Sequence, residues 1–139
     1  EFIPVESMIK ANEVIIGTDK LSIAGANVVF GKSVLGSVQT ANATGSTTLD
    51  FATYQNFLLT ATGNVTLANL TTETVGQSGF IVIKQDGTGS RTLSIGTQYV
   101  TVGNSDYTLS TAANAIDLIP YVVQADGVIL LGNPSLAFA

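Results

Sequence analysis

STTLDFATYQNFLLTATGNVTLANLTTETVGQSGFIVIKQDGTGSR, Ser46 to Arg91, is the stretch whose reading decides the fold. Short runs of Thr, Val, Leu, Ile and Phe alternate in it with turn signals at Thr62-Gly63-Asn64, Gln77-Ser78-Gly79 and Asp86-Gly87-Thr88-Gly89. In Thr47-Thr48-Leu49-Asp50-Phe51 the apolar residues fall at every second position, and Val65-Thr66-Leu67 does the same. That is the period of a half-buried strand. Phe80-Ile81-Val82-Ile83 is a continuous apolar run and reads as a central strand covered on both faces. No helical period survives across the stretch.

Working outward, further strands are expected at Thr92–Ile95, Tyr99–Val102, Ala115–Val123 and Val128–Leu131. The run Ile116–Val123 is also continuous, and Pro120 within it marks a bulge, an edge or a break. Ala125-Asp126-Gly127 is the clearest hairpin turn, because Gly supplies the positive φ that a tight turn needs. Ser110–Asn114 is the one helix candidate, and it is short. Upstream, Ala41–Gly45 is small and polar and reads as a flexible join. It divides an N-terminal arm with short β-hairpins, residues 1–40, from a β-domain at 41–139. Seven or eight short strands at this spacing predict an all-β fold, an antiparallel β-sandwich of jelly-roll-like type. A solenoid would repeat at a fixed coil length, and no such repeat is present.

The 139 residues are a one-domain length, enough to bury a core without disulfides. There is no Cys, no His and no Trp, which removes thiolate chemistry and the commonest proton shuttle and metal ligand. The net charge is −5, and the five basic residues Lys10, Lys20, Lys32, Lys84 and Arg91 are scattered singly. No basic stripe exists for phosphates, so no nucleic-acid partner is expected. No apolar run approaches the length of a membrane span, so no membrane partner is expected either. Charged residues make up 11% of the chain, against roughly 25% in ordinary soluble domains. Such a composition has two readings. One is a neutral Thr- and Ser-rich β-protein kept soluble by surface hydroxyls; the other, preferred, is a surface partly covered by copies of itself or by a larger assembly.

The motifs yield no chemistry. Gly31-Lys32-Ser33 ends like a phosphate-binding loop, but Ala26 stands where that loop needs its first glycine. Asp86-Gly87-Thr88-Gly89-Ser90 offers one carboxylate where a calcium loop needs several oxygen ligands. Asp50, Glu73, Asp106, Asp117 and Asp126 lie far apart in sequence, although a glycosidase pair could still form across a cleft. Tyr54, Phe57, Tyr99, Tyr107 and Tyr121 could line a sugar surface, but core or subunit seam is the preferred reading. Asn42, Asn64 and Asn69 each open an N-x-T pattern, which an Asn- and Thr-rich chain produces by chance. The expectation is a protein without catalytic residues, metal or cofactor.

Several segments in order carry a resemblance. They are Leu49-Asp50-Phe51, Gly63-Asn64-Val65-Thr66-Leu67, Gly76-Gln77-Ser78-Gly79, Gln85–Leu93 and Leu109–Ala115. From about Thr48 onward the chain resembles a β-rich module of virion structural proteins of tailed bacteriophages, found in tail-fibre, tail and capsid-associated proteins. It departs from that pattern in having no Trp in its later strands. The resemblance implies an oligomeric phage particle protein and no enzyme. Two readings follow from it. The first is a capsid decoration or cement protein, a homotrimer seated on the major capsid protein at the head surface, favoured by small size and the lack of a shaft region. The alternative is the tip of a tail fibre or spike that recognises a host glycan or protein. The apolar chain ends, Phe2, Ile3, Pro4 and Val5 with Leu136 and Phe138, are the candidate assembly contacts.

Overall fold

A computed structural model describes residues 33–138, and the compact unit within it begins at Leu35. The described residues form eight strands: β1 (Val38–Thr47), β2 (Asn56–Leu67), β3 (Ser78–Gln85), β4 (Leu93–Ile95), β5 (Tyr99–Thr101), β6 (Ile116–Ala125), β7 (Val128–Leu131) and β8 (Ser135–Phe138). The strand expected at Thr47–Phe51 is absent, since β1 ends at Thr47 and Leu49 and Phe51 lie in the crossover that follows. The strand expected at Val65–Leu67 is the second half of the long β2, and the later expected strands are present. Two strands lie where the sequence does not announce them. β1 absorbs Ala41–Gly45, which is therefore strand rather than flexible join, and β8 occupies the C-terminal end. Ser110–Asn114 is a turn, closed by Asn114 N–H to the Asp86 carbonyl and Ala115 N–H to the Ala112 carbonyl.

Hydrogen bonding joins all eight strands into one mixed sheet, in the order β1-β2-β3-β6-β7-β5, with β4 on β2 and β8 on β6. This corrects the expectation of a wholly antiparallel arrangement. β1–β2, β2–β3, β2–β4 and β5–β7 are parallel, while β3–β6, β6–β7 and β6–β8 are antiparallel. Alternation tells which side chains face inward but not which way a neighbouring strand runs. That is why the parallel pairs were illegible.

β2 is the pivot. Its partner β1 pairs Ala43 with Ala61 and then Gly45 with Val65, so β2 carries extra residues at Thr62–Asn64. Bulges bend a strand, and here β2 changes neighbours at the bend. Its first half pairs with β3 and its second half with β4. Gly63 lets the Thr44 hydroxyl approach closely at this point, and a Cβ there would make that side chain turn away. β4 turns directly into β5, with Tyr99 N–H bonded to the Gly96 carbonyl. The ladder therefore leaves β2 through β3 and returns to it through β4, rolling the sheet around one core. Phe57, Leu59, Ile81, Ile83, Ile119, Val123 and Ile129 are almost wholly buried there. Phe51 and Phe57 stack at 4.8 Å and Tyr121 meets Phe51 edge-on at 5.1 Å. Leu49 and Phe51 reach the core from the β1–β2 crossover, Leu70 from the β2–β3 crossover and Leu109 from the β5–β6 segment.

These crossovers are held by amide side chains acting as extra rungs. Asn56 Oδ1 accepts from Phe80 N–H, Asn64 Oδ1 from Thr92 N–H and Asn69 Oδ1 from Gln98 N–H. Gln98 grips both backbone groups of Leu70, at 2.7 and 2.8 Å. Gln85, buried, does the same to Arg91. Buried backbone groups must be paired, and in irregular crossovers the Asn and Gln side chains supply the partners. The hairpin β6–β7 turns at Asp126-Gly127, with Gly127 at φ 69° as the turn demands. Pro120 lies inside β6, at the point where the ladder passes from β7 to β8. Its carbonyl accepts from Gly132 N–H at 2.9 Å, between the last β7 pair and the first β8 pair.

Candidate interaction surface

β3, β6, β7 and β5 alternate as half-buried strands do, but their outward positions are apolar too. Phe80 and Val82 face out from β3, Leu118, Pro120 and Val122 from β6, Leu130 from β7 and Val100 from β5. Strand register makes them neighbours. Leu58 stands beside Val82 and Val82 beside Leu118; Phe80 faces Pro120; Val122 faces Leu130, which faces Val100. Leu58, Phe80, Val100, Val122 and Leu130 are 38–48% exposed, which makes the row a surface rather than a second core. The expectation that Phe80–Ile83 and Ile116–Val123 are covered on both faces is thus corrected: within this unit only the inner face is covered. A shallow depression of about 300 Å³ opens on the row between Pro120, Val122, Leu130 and Gly132.

The predicted assembly residues divide. Phe2, Ile3, Pro4 and Val5 lie outside the described residues, as do Gly31 and Lys32. Leu136 and Phe138 lie on β8 and are 49% and 50% exposed. Phe138 and Ala137 line an apolar pocket of about 370 Å³ with Ala112–Ala115. Asp117 holds that corner together. Its buried carboxylate accepts from Ser110 N–H and Ser110 Oγ at 2.7 Å and from Ala137 N–H at 2.9 Å.

The other carboxylates serve the fold in similar ways. Asp86 caps its own turn through Thr88 and Gly89 N–H and pairs with Arg91 at 2.7 Å, so both of its oxygens are engaged. The Arg91 guanidinium holds the Asp86 carboxyl below its ordinary value of 3.8. Asp50 accepts from Thr53 N–H, and Glu73 from Gly127 N–H at 2.9 Å. No three acidic side chains converge among the described residues in a way that could hold a metal ion. Of the candidate aromatics, Phe57, Tyr99 and Tyr121 are core, and Tyr54 and Tyr107 pack against it. Burial raises the Tyr121 hydroxyl to about 12, and that hydroxyl donates to the Gln55 carbonyl at 2.5 Å. Burial, and then the nearby Glu73 carboxylate, also push Tyr99 up. Tyr99 OH and the second Glu73 oxygen have no hydrogen-bond partner among the described residues. Sequence reasoning passed over the apolar face because a continuous apolar run looks the same whether a strand is covered twice or once. The run itself was the available signal.

The geometry defines a rolled β-module that presents a surface and has its polar groups committed to holding its shape. The family described as "Putative phage tail fibre C-terminal domain" matches residues 43–128, more than half of the chain. The chain belongs to that family, and it is a structural module of a phage virion. Searches of curated proteins and of solved structures found no match.

Proposed function

We propose that this chain is a module of a phage tail fibre that works by contact with other molecules and not by catalysis. The observation that carries this reading is the family match, which runs from β1 to the start of β7 and so includes both the pivot strand and most of the apolar face. Head decoration rested on short length and low charge, and the match gives it no support; the tail reading fits better. Asp86 and Asp117 have both oxygens committed, to backbone N–H groups, Ser110 and Arg91, which supports a binding role, because an acid–base pair needs carboxylates free to face a substrate. At a fibre tip, the turns and loops between the strands would contact a host glycan or protein. Labelling the chain on intact particles and imaging them tests the placement. Label on the tail fibres is the expected result, and label on the head lattice would return the chain to the decoration class.

A further inference from the structure

We propose that the outer face of β2, β3, β6, β7 and β5 is a seam on which a second copy of this chain packs, centred on Phe80 and Val122. The inference concerns the surface, and it stands whether the module sits on tail or head.

Size is the first reason. The exposed parts of Leu58, Phe80, Val100, Val122 and Leu130, with Val82, Leu118 and Pro120 between them, form a contiguous apolar patch of roughly 500 Å², the size of the largest patch on a typical monomer, which is often functional. With its polar margin of Thr40, Thr60, Ser78 and Gln124, such a face approaches the ~800 Å² per partner that a stable interface needs. Two sheets of this kind stack with their side chains interdigitated at ~10 Å.

Charge is the second reason, and it chooses the occupant. Six carboxylates are described, Asp50, Glu73, Asp86, Asp106, Asp117 and Asp126, and none lies on this face. They occupy turns and loops, or in the case of Asp117 the inner side of β6. Lys84, at the end of β3, is the one charged residue on the outer side of these strands. A chain of net charge −5 meets its own copy with least repulsion where its carboxylates are absent. An anionic partner would call for a cluster of basic residues. A sugar would call for aromatic platforms with hydrogen-bonding groups beside them, and this face has one aromatic ring among aliphatic side chains. A largely aliphatic face without carboxylates is best matched by another like it.

Sedimentation equilibrium of the full chain, together with its Val122→Asp variant, tests the seam. The full chain should self-associate with concentration. Val122→Asp should weaken that association about a hundredfold or more, since facing like charges cost several kcal/mol. Val122 is exposed in the single unit, so far-UV circular dichroism of the variant should remain that of the parent. The chain has no Cys, which allows a second readout that adds no charge. The lone thiol of Val122→Cys should react slowly with a maleimide in the associated state and quickly after dilution. A full chain that stays monomeric, a folded Val122→Asp that associates like the parent, or a thiol equally reactive at all concentrations would each overturn the seam. So would loss of adhesion to host cells in Val122→Asp with its association unchanged, which would give the face to a host ligand. None of these results bears on where labelled chain sits on the particle.

Discussion

The two halves of this unit solve the same problem differently. In the first, β1, β2 and β4 run parallel, and their outward side chains are mostly polar, Thr40, Asn42, Ser46, Thr60, Thr62, Thr66 and Ser94, with Val38 and Leu58 as apolar exceptions. In the second, β3, β6 and β7 run antiparallel with β5 at the edge, and the outward side chains are Phe80, Val82, Leu118, Pro120, Val122, Leu130 and Val100. Both halves put Leu, Ile, Val and Phe inside, so the inner face is no guide to the difference. The amide clamps gather at the crossovers around β2, although Gln85 ends β3 and Gln98 leads into β5: among the described residues they belong to Gln39, Gln55, Asn56, Asn64, Asn69, Gln77, Gln85 and Gln98. Parallel neighbours need crossovers, and irregular crossovers leave backbone groups to be paired. An antiparallel hairpin such as β6–β7 closes its ladder in a short turn and needs none. A polar outer face suits water, and an apolar one suits a partner.

The largest effect expected is at the residue both halves share. Phe57→Ala, at the centre of the Phe51–Phe57–Tyr121 cluster, should cost ~3–5 kcal/mol, read as a fall in urea midpoint or as failure to fold. Next comes a clamp. Gln85→Leu keeps the volume but strands the Arg91 N–H and carbonyl, and should cost about 1–3 kcal/mol. An unchanged urea curve would remove the clamps from the distinction between the halves.

Tyrosines give a finer test. Tyr121→Phe should cost ~1–2 kcal/mol by leaving the Gln55 carbonyl unpaired, whereas Tyr99→Phe, which removes a hydroxyl without a partner among the described residues, should cost less than ~0.5 kcal/mol. The folded Tyr121 value of about 12 exceeds its ordinary 10.0. Its contribution is therefore complete below pH 10 and lost as pH rises toward 12. Tyr121→Phe should flatten that alkaline slope in melts recorded across the range.

Asp86 acts with the opposite sign. Its folded value lies below 3.8, so its contribution is present above that pH and fades as pH falls through the folded value. Subtracting the Asp86→Asn profile from the parent should isolate a small loss confined to the acid end. The smallest effect belongs to the polar face. Thr66→Lys, exposed between Ser46 and Ser94, should change stability by no more than ~0.5 kcal/mol and leave sedimentation as it was. A Thr66→Lys chain that dissociates would move the seam to the wrong half.

The sequence alone determined a good deal here. Alternation at Val65/Leu67 and the apolar runs at Phe80–Ile83 and Ile116–Val123 were enough for the all-β class and most strand positions. The alternating Leu49 and Phe51, by contrast, reach the core from a crossover and not from a strand. Gly127 marked its hairpin for the local reason that a tight turn needs positive φ. The ordered motifs from Leu49 to Ala115 were sufficient to reach the phage virion. Tertiary structure decided what depends on residues far apart in the chain. Strand direction was one such matter, since parallel and antiparallel neighbours share one alternation. The place of β1 was another, because its Thr, Ala, Asn and Gly carry little β-signal and become strand by pairing with β2. The opening stretch therefore proves to hold the pivot of a rolled mixed sheet. Its Phe80 and Val82 lie on an outer face that only the folded arrangement brings together with Val122 and Leu130.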